Sequence, residues 1–581
     1  MGGSRPERHV DQSSSLKNVA RSMVQTNPDG SLFSSRLAVI VILFIVAAVI
    51  LLGRLFLLQI VDAEANLNRG DSSREVTVDI MPRRGTIYDR NGIVLATTVD
   101  AYNVYCHPRM VSSDKVDELA RVLAETFGGK EEDYKAKITQ DTNFVYLYKA
   151  ADEEPAKKIK ELGIEGVDLE KTVKRVYPCG AVGSQIIGIL NSDGEAITGL
   201  ELYYDDILGG QAGQKKTEYS KEGVPVPGMT QVTAEVVNGQ DIVLSIDVEM
   251  QQRLEEAMTL RVEEVQGKTG SAILMDASTG EIYASASSPV FDITDLTKIE
   301  DGATNLSGIS MAFEPGSIFK PVTMLAALEE GTTQAGQVYF CPNSITIDDY
   351  VISDSHDRED VDMDTSTIMA DSSNVGMSLI AKDLTFGKLY DYIKKYQITD
   401  KTGVDYPGEA GGYLSSRDTW SEVQGYNISF GQGLTATPIS MVRFYGALAN
   451  NGVATTPHFL LDVPTEAEDR TYATSEIVTN KESIAQLTEM MEQVVERGTG
   501  TEAQIDGYRV AGKTGTAEIA SETGGYKKGE YNISFVGYIP DASMSFVCFV
   551  GATDVPGERK TVSAFQDIMS FAIERYNITQ K

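Results

Sequence analysis

A chain of 581 residues allows two to four domains, at roughly 100–200 residues each, with ample core. Hydrophobic residues make up 42% and charged residues 23%, which excludes wholesale disorder, and a net charge of −33 argues against a nucleic-acid partner. The four cysteines (Cys106, Cys179, Cys341, Cys548) are too few for a disulfide scaffold, and with four histidines and no C-x-x-C pair they offer little to a zinc site, so neither metal nor cofactor is expected.

The chain begins with 36 Ser-rich residues of low hydrophobicity, read as a disordered tail. Leu37 to Gly53 then runs without a charge, and after Arg54 the apolar run resumes to Val61. A bilayer core needs about 20 apolar residues in helix, so this stretch is long enough to span. Ala63-Glu64-Ala65 offers a signal-peptidase match, but a cleaved signal normally has a short leader and an apolar core of about 7–15 residues. A retained anchor is therefore expected, with Arg54 snorkelling to the interface. The tail carries Arg5, Arg8, Lys17, Arg21 and Arg36 against Glu7, Asp11 and Asp29. Positive-inside bias puts it in the cytoplasm and the large acidic remainder outside.

No internal repeat is apparent beyond the anchor. Residues 62–237 mix β-like runs (Val76–Ile80, Ala101–Cys106) with helical ones (Lys115–Thr126, Glu153–Leu162). Gly209–Gly228 is rich in Gly, Lys and Pro, which suggests a domain boundary near 230–238. From Gln240 the texture changes. Val243–Ile246 reads as a strand, and Val248–Gln266 sets Met250, Leu254, Ala257, Val262 and Val265 on one helical face. Ser271–Asp276 and Glu281–Ser287 read as a hairpin; Tyr508–Ala511, Ile533–Ile539 and Met544–Gly551 read as strands; Val562–Tyr576 reads as a closing helix. The expected fold is multi-domain α/β: tail 1–36, transmembrane anchor 37–61, β-rich pedestal 62–237, and a catalytic domain 238–581 whose antiparallel sheet draws strands from both its ends and is covered by helices.

The sharpest local feature is Phe313 to Pro321, where Pro315-Gly316 breaks the chain before a helix ending at Glu330-Gly331. Ser317 and Lys320 then lie three apart on one face. Serine is a weak nucleophile until a base takes its proton, and a lysine kept neutral by burial and nearby positive charge is such a base. S-x-x-K recurs at Ser14 and Ser112, the first in the tail and the second with no glycine turn before it. A second element, Ser372-Ser373-Asn374, precedes a helix over Val375–Thr385. By itself it reads equally as helix capping. K-T-G occurs at Lys268, Lys401 and Lys513, of which only Lys513-Thr514-Gly515-Thr516 continues a β-like run and precedes two further strands.

This ordered set resembles that of the class B penicillin-binding proteins, and the resemblance covers nearly all of residues 37–575. Arg84 to Gly92 looks like the family hallmark after the anchor. Arg175 to Pro178, Gly199 to Glu201 before Leu208 to Gly210, Gly431 to Gly433, and Ser534 to Pro540 are also similar to family motifs. The segment after Asn91-Gly92 and the Gly199 motif look more like division-type or spore-type members than elongation-type ones. The resemblance implies a serine D,D-transpeptidase that cross-links peptidoglycan stem peptides and is acylated by β-lactams. It implies Ser317 as nucleophile, Lys320 as base, Ser372 as proton relay to the leaving amine, and Asn374 holding Lys320 and the donor amide. Lys513 would supply positive potential, Thr514 and Thr516 would grip the terminal carboxylate, and Gly515 would leave the strand bare for substrate pairing. The N–H groups of Ser317 and Thr516 would form the oxyanion hole. It further implies a single-pass bacterial cell-membrane protein. No glycosyltransferase motif stands in residues 62–235, so the expected partners are a membrane glycosyltransferase of the shape, elongation, division and sporulation family and other division proteins.

Other features are weighted toward structure. Asp348 to Asp364 holds eight acids and one arginine but lacks the EF-hand glycine, and reads as a solvated loop. Trp420 reads as core or hinge rather than cleft lining. The hallmark is expected to pair arginine with aspartate across a turn, joining pedestal to catalytic domain. Two other functions fit part of the pattern. A β-lactam-hydrolysing or sensing protein of the same fold would need a water-activating group that no residue here supplies visibly; a scaffold that activates a glycosyltransferase would rely on the anchor and pedestal alone.

Overall fold

The structure, a computed structural model, describes residues 31–61, 75–219, 225–347, 349–467, 470–520, 526–557 and 559–581. Most of the tail with Ser14, and the Ala63–Ala65 site, lie outside these residues. The chain divides into two compact units, 1–79 with 214–234, and 80–213 with 235–581.

In the first unit Ser31–Phe56 is a single helix continued by a π turn over Leu57–Val61. Its stretch Leu37–Phe56 is 20 residues long and apolar but for Arg54 near its end, enough to cross a bilayer. The unit also holds a three-stranded sheet in the order Glu75–Ile80, Gly213–Tyr219, Pro225–Ala234. The Gly-, Lys- and Pro-rich segment expected to mark a boundary thus contributes two paired strands. Thr217 faces Thr230 across the pair with hydroxyls 3.3 Å apart, the β-branched pairing that stabilises strands.

In the second unit a six-stranded sheet is built around the 13-residue strand Val94–Cys106. Val167–Val176 pairs along one edge of it, while Ile87–Tyr88 and Val145–Ala151 share the other. Ile87–Tyr88 in turn pairs in parallel with Ile242–Leu244, which pairs with Leu460–Asp462. One sheet therefore joins strands from both sides of residue 238. A cavity of about 850 Å³ lined by Arg84, Arg175 and Ile189 to Gly194 opens beside it and contains none of the residues singled out for chemistry.

The hallmark acts differently from the expected Arg–Asp pairing. Arg84 binds the Glu201 carboxylate and Asp205, and Arg175 Nε reaches the other Glu201 oxygen at 2.8 Å. Glu201 is fully buried between the two guanidinium groups, so charge rather than packing dictates that site. Asp89 accepts backbone N–H groups from Asn91 and Ile93 at 2.8 Å and, at 3.2 Å, the first N–H of the Val248–Glu264 helix, which Asp247 caps. Arg90 stacks 3.7 Å over the Tyr283 ring and binds Glu281. The motif fastens three different elements because its turn aims the three side chains apart.

The central sheet of the second unit is antiparallel throughout, in the order Ile282–Ser288, Thr269–Asp276, Phe546–Pro556, Tyr526–Tyr538, Ala511–Ala520. Strands from residues 269–288 and 511–556 meet as expected. Alternation sorts its two faces. Ala272, Leu274, Cys548 and Val550 pack with Leu254 and Met258 of the Val248–Glu264 helix and with Phe565 and Ile568 of Val562–Tyr576. Ile273, Met275, Val547 and Phe549 join Met441, Tyr445 and Leu448 of the Pro438–Ala449 helix and the helices beyond it. All five residues placed on one face of Val248–Gln266 are buried. Trp420 packs half-buried against this core with Nε1 donating to Ser415 O at 3.1 Å, as a core role requires. The four cysteines are unpaired thiols.

Candidate active site

Ser317 lies on a 3₁₀ turn, Gly316–Phe319, that feeds directly into the helix Lys320–Glu330, and Gly331 ends that helix in the left-handed conformation. Glycine-rich contacts hold the turn. Gly316 N–H donates to Gly431 O at 3.0 Å, and Tyr445 OH donates to Ile318 O at 2.9 Å. A Cβ on Gly431, whose φ is +92°, would stand 2.1 Å from Gly316 O. Gly431→Ala should therefore displace the turn, lowering stability by about 1–3 kcal/mol and slowing acylation at Ser317 about tenfold or more; thermal unfolding and penicillin labelling rates would check this, and parental values would refute it.

The Ser317 hydroxyl is half-buried and has no hydrogen-bond partner among the described residues. Lys320, one turn on, is fully buried, and its Nζ donates to Ser372 O, to Ser372 Oγ at 3.1 Å and to Asn374 Oδ1 at 2.8 Å. From the edge strand Ala511–Ala520 the equally buried Lys513 donates to the same Ser372 Oγ at 2.9 Å. Two amines thus converge on one hydroxyl. Burial pushes the Lys320 amine down to about 7, with Asp354 opposing in part. Burial and then the charges of Lys320 and Lys560 push Lys513 well below the ordinary lysine range. Two ammonium groups cannot be desolvated side by side without raising the free energy of both charged forms.

Ser372 itself sits at φ +59°, a conformation that costs a non-glycine residue on the order of 1–2 kcal/mol. It lies between the helices Thr365–Ala370 and Asn374–Leu384, and Ser373 caps the second by accepting Gly376 N–H at 2.9 Å. Capping and site formation are therefore divided within one motif: Ser373 caps, while Ser372 and Asn374 turn to Lys320.

The other K-T-G lysines stand elsewhere, exposed at Lys268 and Lys401. On the chosen strand Thr516 is exposed, and Thr514 is half-buried with its hydroxyl 2.6 Å from that of Thr499. At Gly515 a Cβ would meet Ser534 Oγ at 2.5 Å, Ile318 at 3.0 Å and Pro315 O at 3.2 Å, so the glycine lets this edge strand lie against the Ser317 turn.

Residues missed by motif reading surround this cluster. Thr499 partners Thr514, and Lys560 donates to Thr499 O at 3.0 Å. The acidic stretch is only partly loop: Val338–Cys341 pairs with Val361–Asp364 and Ser344–Ile347 with Tyr350–Ser353, while 354–360 lie outside any strand and are mostly exposed. Asp364 caps the Thr365–Ala370 helix, and Asp354 reaches Ser373. Its dense charge conceals short β alternation such as Val351–Ser353.

The model of the penicillin binding protein transpeptidase domain matches residues 270–570, and that of the penicillin-binding protein dimerisation domain matches residues 79–244. The chain belongs to the class B penicillin-binding proteins. It is 30% identical to penicillin-binding protein PbpB of Mycolicibacterium smegmatis over 94% of this chain and 90% of that protein. It is 28% identical to peptidoglycan D,D-transpeptidase FtsI of Escherichia coli K12, over 90% of this chain and 87% of that one. The crystal structure of penicillin binding protein 2X from Streptococcus thermophilus is similar, at 25% identity and a TM-score of 0.73, covering 86% of this chain and 80% of that chain. The family's transpeptidase enzymology therefore applies to this penicillin-binding protein, a mixed α/β chain with one apolar N-terminal helix suited to membrane association.

Proposed function

We propose that the chain cross-links peptidoglycan stem peptides by an acyl-enzyme on Ser317, in septal or spore wall synthesis. The observation that carries this reading is the Ser372 hydroxyl held between Lys320 Nζ at 3.1 Å and Lys513 Nζ at 2.9 Å, with Lys320 itself one turn after Ser317, whose hydroxyl has no partner among the described residues.

Ser317 Oγ bonds to the penultimate D-alanine carbonyl carbon while Lys320 accepts its proton. The oxyanion is met by the N–H groups of Ser317 and Thr516, worth about 3–4 kcal/mol per donor removed. The C–N bond breaks as the Ser372 hydroxyl passes a proton to the leaving amine, and terminal D-alanine departs. Asn374 fixes Lys320 and the donor amide. Lys513, Thr514 and Thr516 receive the terminal carboxylate, and that anion restores the ammonium form of Lys513. An amine of a neighbouring stem then attacks the ester, its proton returns through the same groups to Ser317 Oγ, and one amide has replaced another. A β-lactam follows the first half only.

The span and the basic tail support a single pass with the tail cytoplasmic and the catalytic domain outside a bacterial cell membrane. A membrane glycosyltransferase of the shape, elongation, division and sporulation family is the partner this reading requires, because one chain then polymerises and this one cross-links. Intact-mass measurement after penicillin exposure tests the reading. One adduct per chain on the Ser317 peptide is expected, and rapid turnover of penicillin with no adduct would favour a hydrolase. With Lys320 near 7, it is ammonium below that pH and lacks a lone pair. The acylation rate should accordingly rise through about pH 7 and level off above it, and a profile flat down to about pH 5 would remove Lys320 as the base.

A further inference from the structure

We infer that Asp354 is a positioning residue for Lys320: its carboxylate, bonded to Ser373 Oγ and the Val375 N–H, holds the Ser372–Asn374 turn in the shape that wraps the amine and adds a nearby anion to that site. The inference rests on the acylation reading above. Asp354 follows the Tyr350–Ser353 strand, outside all three motifs. Its Oδ1 accepts the Val375 N–H at 3.0 Å, both oxygens lie within 3.0 Å of Ser373 Oγ, and Oδ2 accepts from Arg358 Nε at 2.7 Å. The neighbouring Ser353 O accepts from Asn374 Nδ2 at 3.0 Å. Two consecutive residues of one hairpin thus grip Ser373 and Asn374, immediately after the strained Ser372. Strain of that kind persists only where the surroundings over-determine it, and the hairpin is part of what does so here.

The grip is also electrostatic. Asp354 and Arg358 are both mostly buried, with side chains 11% and 17% exposed, so their charges are weakly screened. Lys320 faces Asp354 from the hairpin side and Lys513 from the strand side, and Lys513 faces Lys560. Arg358 is held on the hairpin by Cys341 O at 2.9 Å and Glu359 O. Asp354 is thus the anion next to a group of cations. It makes protonated Lys320 less unfavourable than two facing lysines alone would allow.

Opposite substitutions separate this from a merely structural role. In the full-length chain in detergent, the rate of acylation by a fluorescent penicillin is followed against pH. Asp354→Asn removes the anion, so the acid limb should move to lower pH by about half a unit, a ~3-fold change in proton affinity. The limiting rate should fall about tenfold as the turn loosens. Arg358→Gln leaves the anion less neutralised, so the limb should move to higher pH. Limbs that stay in place, or that move in the same direction, would overturn the inference whatever happens to the limiting rate. A parent chain with no adduct or no acid limb would instead overturn the acylation reading, and this inference with it.

Discussion

Ser317→Ala should abolish the penicillin adduct while leaving the fold intact. The expected loss in acylation rate is at least about 10⁴-fold, since no other hydroxyl on the Gly316–Phe319 turn could form the ester. The clean separation of chemistry from folding follows from the local structure. Backbone contacts to Gly431 and the Tyr445 hydroxyl hold the turn, and the Ser317 hydroxyl holds nothing among the described residues. Alanine therefore removes one oxygen without orphaning a partner, and the unfolding midpoint should stay within about a degree. Mass spectrometry of the intact chain and its proteolytic peptides decides the matter. A stoichiometric adduct on the alanine variant would move the nucleophile to another residue, and Ser372 would be the first to examine.

Glu201→Ala should be the most damaging single change outside the site. The carboxylate is fully buried and is shared by Arg84 and Arg175, whose side chains are only 9% and 5% exposed. Its removal leaves two guanidinium groups in a low-dielectric site with one remaining carboxylate, Asp205, reaching Arg84 alone. Breaking a buried ion pair from one side costs about 3–5 kcal/mol, mainly as the desolvation of the charge left behind. Chemical denaturation should show that loss, and the Gln variant should lose less because its amide oxygen still accepts. A change under about 1 kcal/mol would mean that water enters and solvates the arginines. Because the side-chain bonds of Arg84, Arg175 and Glu201 reach none of Ser317, Lys320, Ser372 and Lys513, acylation at low temperature should be little altered.

Regular periodicity carried much of the fold in the sequence. The 3.6-residue pattern of Val248–Gln266 and the limits of Val562–Tyr576 match the helices observed, since in both the apolar stripe alone decides which face is buried. The strands Tyr526–Tyr538 and Phe546–Pro556 were visible as the apolar runs Ile533–Ile539 and Met544–Gly551, whereas the edge strand Ala511–Ala520 shares only Ala511 with the run Tyr508–Ala511 and continues through polar residues to Glu518, where pairing between neighbours outweighs composition. The strands within the Gly209–Gly228 segment and within the acidic stretch went unread for a common reason. Turn residues and charges suppress the local signal, while cross-strand partners such as Thr217 with Thr230 supply the stability.

The same division runs through the site. Order and spacing along the chain singled out Ser317 and Lys320, and Lys513 over Lys268 and Lys401, because each lies in a local motif; Ser372 and Asn374 read equally as helix capping, and their roles came from the resemblance to the family. Which groups face one another was decided only by folding. The convergence of Lys320 and Lys513 on Ser372 spans residues 320 to 513, and the burial that drives both amines toward neutrality exists only once the two-sided sheet and its helices have closed around them. Asp354, Thr499 and Lys560 carry no motif at all. Their place beside the cluster comes from long-range strand pairing and from desolvation, neither of which a window of neighbouring residues contains.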